Sequence, residues 1–143
     1  MEIKGSTVGI VGFGGIGQSI AKRLSGFEVG RFIYTGHGEK PESKKFNAEF
    51  VSFDDLLRQS DFIFIACPLN NETTNMFDSE AFSKMKSTSV LVNVARGAIV
   101  DQNALINALQ NRQILGAGLD VMTPEPLPAS HPLMKLPNCG KLE

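Results

Sequence analysis

Residues 7–24 read TVGIVGFGGIGQSIAKRL, and no other stretch of the chain is as informative about its architecture. The first five residues, 7–11, are mostly β-branched and apolar, as in a strand that is buried in a sheet. They run directly into three glycines in GxGxxG spacing, and the residues after these glycines have the periodicity of an amphipathic helix. The stretch therefore predicts a strand, a tight turn and a helix, in that order.

The three glycines of this turn have separate tasks. Gly12 allows the chain to turn sharply, Gly14 lets the backbone approach a pyrophosphate, and Gly17 lets the helix pack closely on the strand. The helix then offers unpaired N–H groups and its positive dipole end to the phosphates. The pattern predicts a dinucleotide-binding turn, and the alternative is a turn that merely joins a strand to a helix. The candidate cofactor-binding residues of the turn are Gly12, Phe13, Gly14, Gly15, Ile16 and Gly17.

Apolar runs and helical stretches alternate along the rest of the chain. Strands are predicted at residues 7–11, 31–35, 50–53, 61–66, 89–94 and 115–121, and helices at 16–24, 54–59, 79–85 and 102–111. This alternation is typical of an α/β fold with a doubly wound parallel sheet of the Rossmann type. We predict one dinucleotide-binding domain over residues 1–122. Residues 123–143 hold five of the seven prolines, so this Pro-rich C-terminal tail is predicted to be a loop or an interdomain connection.

Composition limits the classes of function. The 143 residues are 42% hydrophobic and carry a formal net charge of -1, the profile of one globular domain. Nucleic acid is not a predicted partner, because binding to phosphates needs clustered Lys and Arg. No membrane-length apolar run or leader is visible, which predicts a cytoplasmic protein. Cys67 and Cys139 lack CxxC spacing and a neighbouring histidine, so we expect free thiols and no metal site.

The end of the second predicted strand bears on the choice of cofactor. In NAD-specific turns, an acidic residue about twenty positions further on accepts hydrogen bonds from the adenine ribose. Thr35 and Gly36 stand there instead, which favours NADP, with NAD as the alternative. Glu39 and Glu42 weaken the positive field of the loop that follows, and the plain alternative is a solvated surface loop. The candidates to contact the ribose or its 2′-phosphate are Gly36, His37, Gly38 and Lys40, with Lys44 and Lys45 further along.

Motifs in the second half of the chain resemble one enzyme family. In chain order they are Ala66-Cys67-Pro68-Leu69 with Thr73, Asn93-Val94-Ala95-Arg96-Gly97, and Gly118-Leu119-Asp120-Val121 with Glu125-Pro126. Together they resemble the D-isomer-specific 2-hydroxyacid dehydrogenases, and within that family the glyoxylate and hydroxypyruvate reductases. The resemblance runs from about residue 6 to about residue 139 and concerns the family's coenzyme domain. In the complete enzymes that domain is inserted into a substrate domain, which we expect to be absent here.

The resemblance implies an NADP-dependent oxidoreductase that transfers hydride from NADPH to a small 2-oxo acid. It implies that Pro68, Thr73 and Val94 line the cofactor and that Asp120 contacts its nicotinamide end. Arg96 corresponds to the arginine that holds the substrate's carboxylate and keto oxygen and polarises the carbonyl that receives hydride. The plain alternatives are a surface ion pair for Arg96 and a helix cap for Asp120.

The resemblance also implies a role for Glu125, which matches the glutamate that keeps the family's catalytic histidine protonated as general acid. That histidine is expected a little beyond Cys139, while His131 matches a separate family feature and His37 is misplaced for catalysis. We therefore expect cofactor binding with little or no turnover, and a homodimer formed through this domain. The alternative from another class is a dinucleotide-sensing interaction module, because corepressors use the same fold.

Overall fold

Strands and helices alternate along the chain in the computed structural model, which describes residues 2–121 and 130–141. The strands are β1 (Thr7–Val11), β2 (Arg31–Thr35), β3 (Glu49–Phe50), β4 (Phe62–Ile65), β5 (Val90–Asn93), β6 (Gly116–Leu119) and β7 (Cys139–Lys141). The α-helices are α1 (Gly15–Leu24), α2 (Phe53–Gln59), α3 (Ser79–Lys84) and α4 (Gln102–Gln110). Short 3-10 helices lie at Ser25–Phe27, Pro41–Phe46, Gly97–Ile99 and Pro132–Met134. Within this described part, no helix combines the length and the apolar character needed to cross a bilayer.

The seven described strands form one parallel sheet in the order β3-β2-β1-β4-β5-β6-β7. From β1 the chain moves outward to β2 and β3, and it then returns to place β4 on the other side of β1. The predicted doubly wound α/β fold is thereby confirmed. In sheets of this kind, ligands bind beyond the carboxyl ends of the strands where the direction of winding reverses. The glycine turn after β1 lies at that point.

One predicted strand is wrong in its second half. The prediction covers residues 50–53, whereas β3 ends at Phe50 and Phe53 already begins α2. The cause is a helix cap: Ser52 Oγ accepts a hydrogen bond from the N–H of Asp55 over 3.1 Å, which starts the helix earlier. The other predicted strands and helices agree with the structure to within two residues at each end.

The predicted loop or interdomain connection over residues 123–143 is wrong at its described end, where Cys139–Lys141 form β7, while residues 123–129 lie outside the described residues. Among residues 130–141, β7 pairs in parallel with β6, with Cys139 beside Ala117. The prolines described in this segment, Pro132 and Pro137, precede the strand, so they do not interrupt its hydrogen bonds. A three-residue strand of Cys-Gly-Lys has no apolar run of its own, so only its pairing with β6 reveals it.

Buried side chains cover both faces of the sheet. In β4, Ile63 and Ile65 belong to the larger cluster, which includes residues of α2, α3 and α4, while Phe62 and Phe64 pack against the smaller cluster around β1 and α1. Burial on both sides explains why apolar residues follow one another in this strand. Each fully buried isoleucine stabilises the fold by roughly 1.5–3 kcal/mol relative to an exposed one. This rigid sheet is what positions the loops at its carboxyl edge.

Candidate cofactor and substrate site

At two positions of the glycine turn, the backbone and its neighbours leave no room for a side chain. Gly12 has a φ of 92°, and a Cβ there would lie 2.7 Å from the Cα of Cys67. At Gly17, in the first turn of α1, a Cβ would overlap the carbonyl oxygen of Gly12. Nothing among the described residues lies within 4 Å of a Cβ built on Gly14. Packing therefore explains two of the glycines, and the open space at Gly14 is what close approach of a phosphate requires.

The first turn of α1 is suited to an anion. Its N-cap is Gly14, which has no side chain to accept from the N–H groups, and residues 15–18 include no acidic side chain. The N–H groups and the positive end of the ten-residue helix therefore face the space beside the turn.

A cavity of about 530 Å³ opens beside this turn, a size in the range of small-molecule and cofactor sites. Its walls come from the glycine turn, the loop after β2 and the loop after β4. Two apolar side chains, Phe53 and Met76, complete it. The residues from the three segments that line it are Val11, Gly12, Phe13, Gly14, Thr35, Gly36, His37, Lys40, Cys67, Pro68, Asn70, Glu72 and Thr73. The predicted cofactor residues that lie outside this lining are Gly15, Ile16, Gly17, Gly38, Val94 and Asp120.

Phe13 anchors the turn as well as lining the cavity. Its buried ring stacks on Tyr34 with the ring centroids 4.6 Å apart, and it meets Phe46 edge-on at 5.9 Å. Ile16, by contrast, is 56% exposed at the start of α1. Phe13 and Ile16, two variable positions of the glycine motif, therefore differ in their surroundings, because the first packs into the core and the second faces solvent.

The loop after β2 is held by a residue that the sequence analysis missed. The N–H of Lys40 donates to the hydroxyl of Tyr34 over 2.9 Å. Tyr34 is buried at the end of β2, so its ring is fixed by the core while its hydroxyl reaches the loop. Between these two residues lie Gly36 and His37, both exposed at the mouth of the cavity. The available signal was the chain's one tyrosine, which lies next to the last residue of the predicted strand 31–35.

The loop after β4 is folded by Thr73 and Asn70. The Thr73 hydroxyl donates to the carbonyl oxygen of Pro68 over 2.7 Å and accepts from the N–H of Asn70 over 2.8 Å. Asn70 Oδ1 in turn accepts from the N–H groups of Glu72 and Thr73, at 2.9 and 3.0 Å. Thr73, predicted as a cofactor contact, thus uses its hydroxyl to shape the loop that lines the cavity.

Cys67 forms part of the cavity wall and is a free, buried thiol. Burial raises the pKa of the Cys67 thiol, which keeps it neutral at physiological pH. A neutral buried thiol behaves as a small apolar side chain. Cys67 therefore contributes shape to the cavity and no charge.

Arg96 follows β5 in a turn that is organised by Asn93. The Asn93 side chain is 1% exposed; its Oδ1 accepts from the N–H of Ala95 and its Nδ2 donates to the carbonyl oxygen of Arg96, both over 3.0 Å. The exposed guanidinium of Arg96 donates to the Ala95 carbonyl oxygen over 3.0 Å. Val94, in the same turn, is half-buried, and its N–H donates to the backbone oxygen of Ile65 over 3.4 Å.

Asp120 lies at the carboxyl end of β6, the next strand in the sheet. Its N–H donates to the backbone oxygen of Asn93 over 3.0 Å, which places it beside the turn of Arg96. Within the described residues, neither Asp120 nor Arg96 takes part in an ion pair. The side chain of Arg96 is therefore not committed there to the surface ion pair that was its plain alternative.

The remaining predicted catalytic residue, Glu125, lies outside the described residues. His131 caps the 3-10 helix Pro132–Met134, because its Nδ1 accepts from the N–H of Leu133 over 3.2 Å. Its Nε2 lies 3.2 Å from the side-chain nitrogen of Gln102. Nδ1 of His131 is thus used in the local helix cap, and Nε2 faces Gln102 at the start of α4.

An α/β domain with a glycine turn at its winding reversal is a dinucleotide-binding domain, and comparison with known proteins gives its family. Residues 1–141 match the NAD binding domain of the D-isomer specific 2-hydroxyacid dehydrogenases. This chain belongs to that family of oxidoreductases, as the motifs in its second half predict.

Among known proteins, the chain is 52% identical over 135 residues to the glyoxylate reductase/hydroxypyruvate reductase of Homo sapiens, which covers 94% of this chain and 41% of the human protein. It is 50% identical over 126 residues to the glyoxylate reductase of Thermococcus kodakarensis, covering 87% of this chain and 38% of that protein. The chain therefore spans about two fifths of the length of these curated relatives.

Solved structures agree with this family. The NAD complex of a D-isomer specific 2-hydroxyacid dehydrogenase from Lactobacillus delbrueckii has a TM-score of 0.90 and 33% identity, covering 99% of this chain and 46% of that one. The NAD-dependent formate dehydrogenase of Staphylococcus aureus, in complex with NAD, has a TM-score of 0.89 and 40% identity, covering 99% and 42%. These matches confirm the predicted fold and give no support to the alternative of a corepressor-like sensing module.

Proposed function

We propose that this chain is the coenzyme domain of an NADP-dependent 2-hydroxyacid dehydrogenase that reduces a small 2-oxo acid such as glyoxylate or hydroxypyruvate. The observation that carries the proposal is the arrangement along one sheet edge. A cavity beside the glycine turn lies at the ends of β1, β2 and β4, and Arg96 and Asp120 follow at the ends of β5 and β6. The proposed nucleotide-binding and substrate-binding groups thus lie along the same edge.

In this proposal, the residues along this edge bind the successive parts of a dinucleotide. Gly14 and the first turn of α1 would hold the pyrophosphate, and residues 36–40 would meet the adenine ribose. Pro68 and Val94 would line the middle of the molecule, and Asp120 its nicotinamide end. The bound cofactor supplies the hydride that is transferred to the carbonyl carbon of the 2-oxo acid.

Arg96 would bind and orient that acid. A guanidinium offers several N–H donors in a fixed plane, so it can hold a carboxylate and a neighbouring keto oxygen together. As hydride reaches the carbonyl carbon, negative charge grows on the keto oxygen, and the nearby positive charge of Arg96 stabilises it. The bonds from Asn93 keep the backbone of this turn in place before the substrate arrives.

The preference for NADP rests on the loop after β2. Thr35 and Gly36 bring no carboxylate to the ribose, and His37 and Lys40 line the cavity just beyond them. The ratio of the dissociation constants for NADPH and NADH, measured by titration of the purified chain, tests this preference. Tighter binding of NADH than of NADPH would reject it.

We further propose that this chain binds cofactor with little or no turnover. Its two histidines are engaged elsewhere, since His37 lies at the ribose end of the cavity and both ring nitrogens of His131 have neighbours within 3.2 Å. Glu125 would act on a general-acid histidine that the described residues do not place beside Arg96. Steady oxidation of NADPH by the purified chain with hydroxypyruvate, abolished in Arg96→Ala, would overturn this part of the proposal.

Assembly and location complete the proposal, and the dimer rests on the family resemblance. We propose a cytoplasmic homodimer that forms through this domain. Sedimentation of the purified chain as a monomer across the micromolar range would contradict the dimer.

A further inference from the structure

A carboxylate reaches the ribose end of the cavity from an unexpected direction. Glu72 belongs to the loop after β4, yet it lines the cavity together with His37 and Lys40 from the loop after β2. Its Oε2 lies 4.0 Å from Nδ1 of His37. The end of β2 carries no acid, and Glu72 is the acidic side chain among the described residues that line this cavity.

The position of Glu72 is set by its own loop. Its N–H donates to Asn70 Oδ1 over 2.9 Å, and the neighbouring Thr73 hydroxyl is bonded to the carbonyl oxygen of Pro68. These bonds fix the backbone from which the Glu72 side chain extends. The side chains of Glu72 and His37 are 75% and 84% exposed, so both can adjust to a bound molecule.

We propose that Glu72 is a specificity-determining residue that limits the preference of this domain for a 2′-phosphorylated cofactor. The inference rests on the proposed function, because it assumes that the cavity holds the adenine ribose. A 2′-phosphate brings about two negative charges to this corner, so the Glu72 carboxylate repels it. The same carboxylate competes for the positive charge of Lys40 and of a protonated His37.

Toward an unphosphorylated ribose, Glu72 has the opposite effect. A ribose hydroxyl can donate a hydrogen bond to a carboxylate, which is the contact that an acid at the end of the second strand makes in NAD-specific domains. Glu72 offers that contact from the facing loop. It therefore lets the domain accept NAD as well as NADP, although the end of β2 lacks the acidic residue.

Two nucleotides test the effect of Glu72 on binding of the 2′-phosphate. Adenosine 2′,5′-bisphosphate and 5′-AMP differ only in the 2′-phosphate, so calorimetric titration of the purified chain with each measures discrimination at this corner. In Glu72→Gln we expect the dissociation constant of the bisphosphate to fall about two- to fivefold, the range for one exposed charge pair, with 5′-AMP binding unchanged or weaker. Thermal unfolding should match the unchanged chain, because the side chain is exposed.

The matched control is Glu2→Gln. Glu2 is an exposed acid ahead of β1 and outside the cavity lining, so its variant has the same change in net charge. An equal fall in the dissociation constant of the bisphosphate in both variants would overturn the inference alone. So would an unchanged ratio of the dissociation constants for the two nucleotides in Glu72→Gln. If neither nucleotide binds the unchanged chain, the proposed function and the inference both fail.

Discussion

The side-chain Nδ2 of Asn93 donates a hydrogen bond to the carbonyl oxygen of Arg96 over 3.0 Å. The same amide accepts from the N–H of Ala95, and the backbone oxygen of Asn93 accepts from the N–H of Asp120. One buried residue thus joins the two turns that carry the proposed substrate-binding and nicotinamide-binding groups. Asn93 therefore holds the backbone of Arg96 and that of Asp120 beside each other.

Replacing Asn93 by alanine should destabilise the domain. The change removes both side-chain bonds and leaves the N–H of Ala95 buried without its acceptor, which costs about 1–3 kcal/mol. The free energy of unfolding in urea measures the loss. Asn71→Ala, at an exposed position in the loop after β4, is the control and should change stability by less than about 0.5 kcal/mol. Equal effects in the two variants would argue against the role of Asn93.

Two glycines of the turn should respond differently to alanine. Gly12→Ala should destabilise the domain by about 2 kcal/mol or more, because its φ is positive and the new Cβ meets Cys67. Gly14→Ala should cost less than about 1 kcal/mol, since its Cβ has open space around it and the change only puts alanine in place of glycine at the N-cap of α1. The same Gly14 variant should weaken NADPH binding about tenfold or more, because the Cβ occupies the approach of the pyrophosphate. Unchanged NADPH binding in a stable Gly14→Ala would show that the phosphates lie elsewhere.

Ser60 offers a stabilising substitution. It is fully buried, and its hydroxyl has no hydrogen-bond partner among the described residues. Ser60→Ala should therefore raise the free energy of unfolding by about 1 kcal/mol, because a buried hydroxyl without a partner is unfavourable. Ser89→Ala is the matched control: Ser89 is equally buried, but its hydroxyl donates to the carbonyl oxygen of Lys86 over 2.7 Å, so this variant should lose about 1 kcal/mol of stability. Destabilisation of similar size in both would contradict the prediction.

Tyr34→Phe tests the support of the ribose loop. The variant keeps the ring packing on Phe13 and removes the acceptor of the Lys40 N–H. We expect a loss of about 1 kcal/mol in stability, the net worth of one such bond. NADPH binding should weaken more than NADH binding, because Lys40 is a proposed partner of the 2′-phosphate. Parallel titrations of both cofactors measure this, and an equal change in the two would remove Tyr34 from cofactor choice.

Asp61 precedes β4, at the edge of the sheet opposite the cavity. Its carboxylate should make the stability of the domain depend on pH. Burial raises the pKa of Asp61, but the N–H of Thr7 and the ammonium of Lys86 lower it more, so the net shift is below the ordinary value of 3.8. A folded-state pKa below the unfolded one contributes stability that is present above the unfolded value, about 3.9, and is lost as pH falls through the folded value.

Asp61→Asn measures that contribution. The variant should be less stable than the unchanged chain near pH 7, and the gap should narrow when urea unfolding is repeated below about pH 4. Asp55→Asn, at an exposed position, is the control with the same change in charge. A gap that stays constant across this pH range would mean that the Asp61 carboxylate contributes nothing through ionisation.

Local sequence determined much of the architecture. The strand, turn and helix of residues 7–24 were predictable because each follows from short-range chemistry: β-branched residues favour a strand, and a glycine tolerates the φ of 92° at Gly12. The continuous apolar run of β4 predicted a strand covered on both faces, and the structure confirms it. Arg96 and Asp120 were found through motif resemblance, since nothing in their local sequence distinguishes them from surface charges.

Tertiary structure decided what depends on residues far apart in the chain. β7 exists because β6 pairs with it, Asn93 matters because its bonds join the turns after two strands, and Glu72 faces His37 only once two separate loops meet at one cavity. The physical reason is that local preferences act over a few residues, whereas the parallel sheet brings the ends of distant strands to one edge. The glycine turn could be predicted from the sequence alone, whereas the charges around its cavity come together only in the folded sheet.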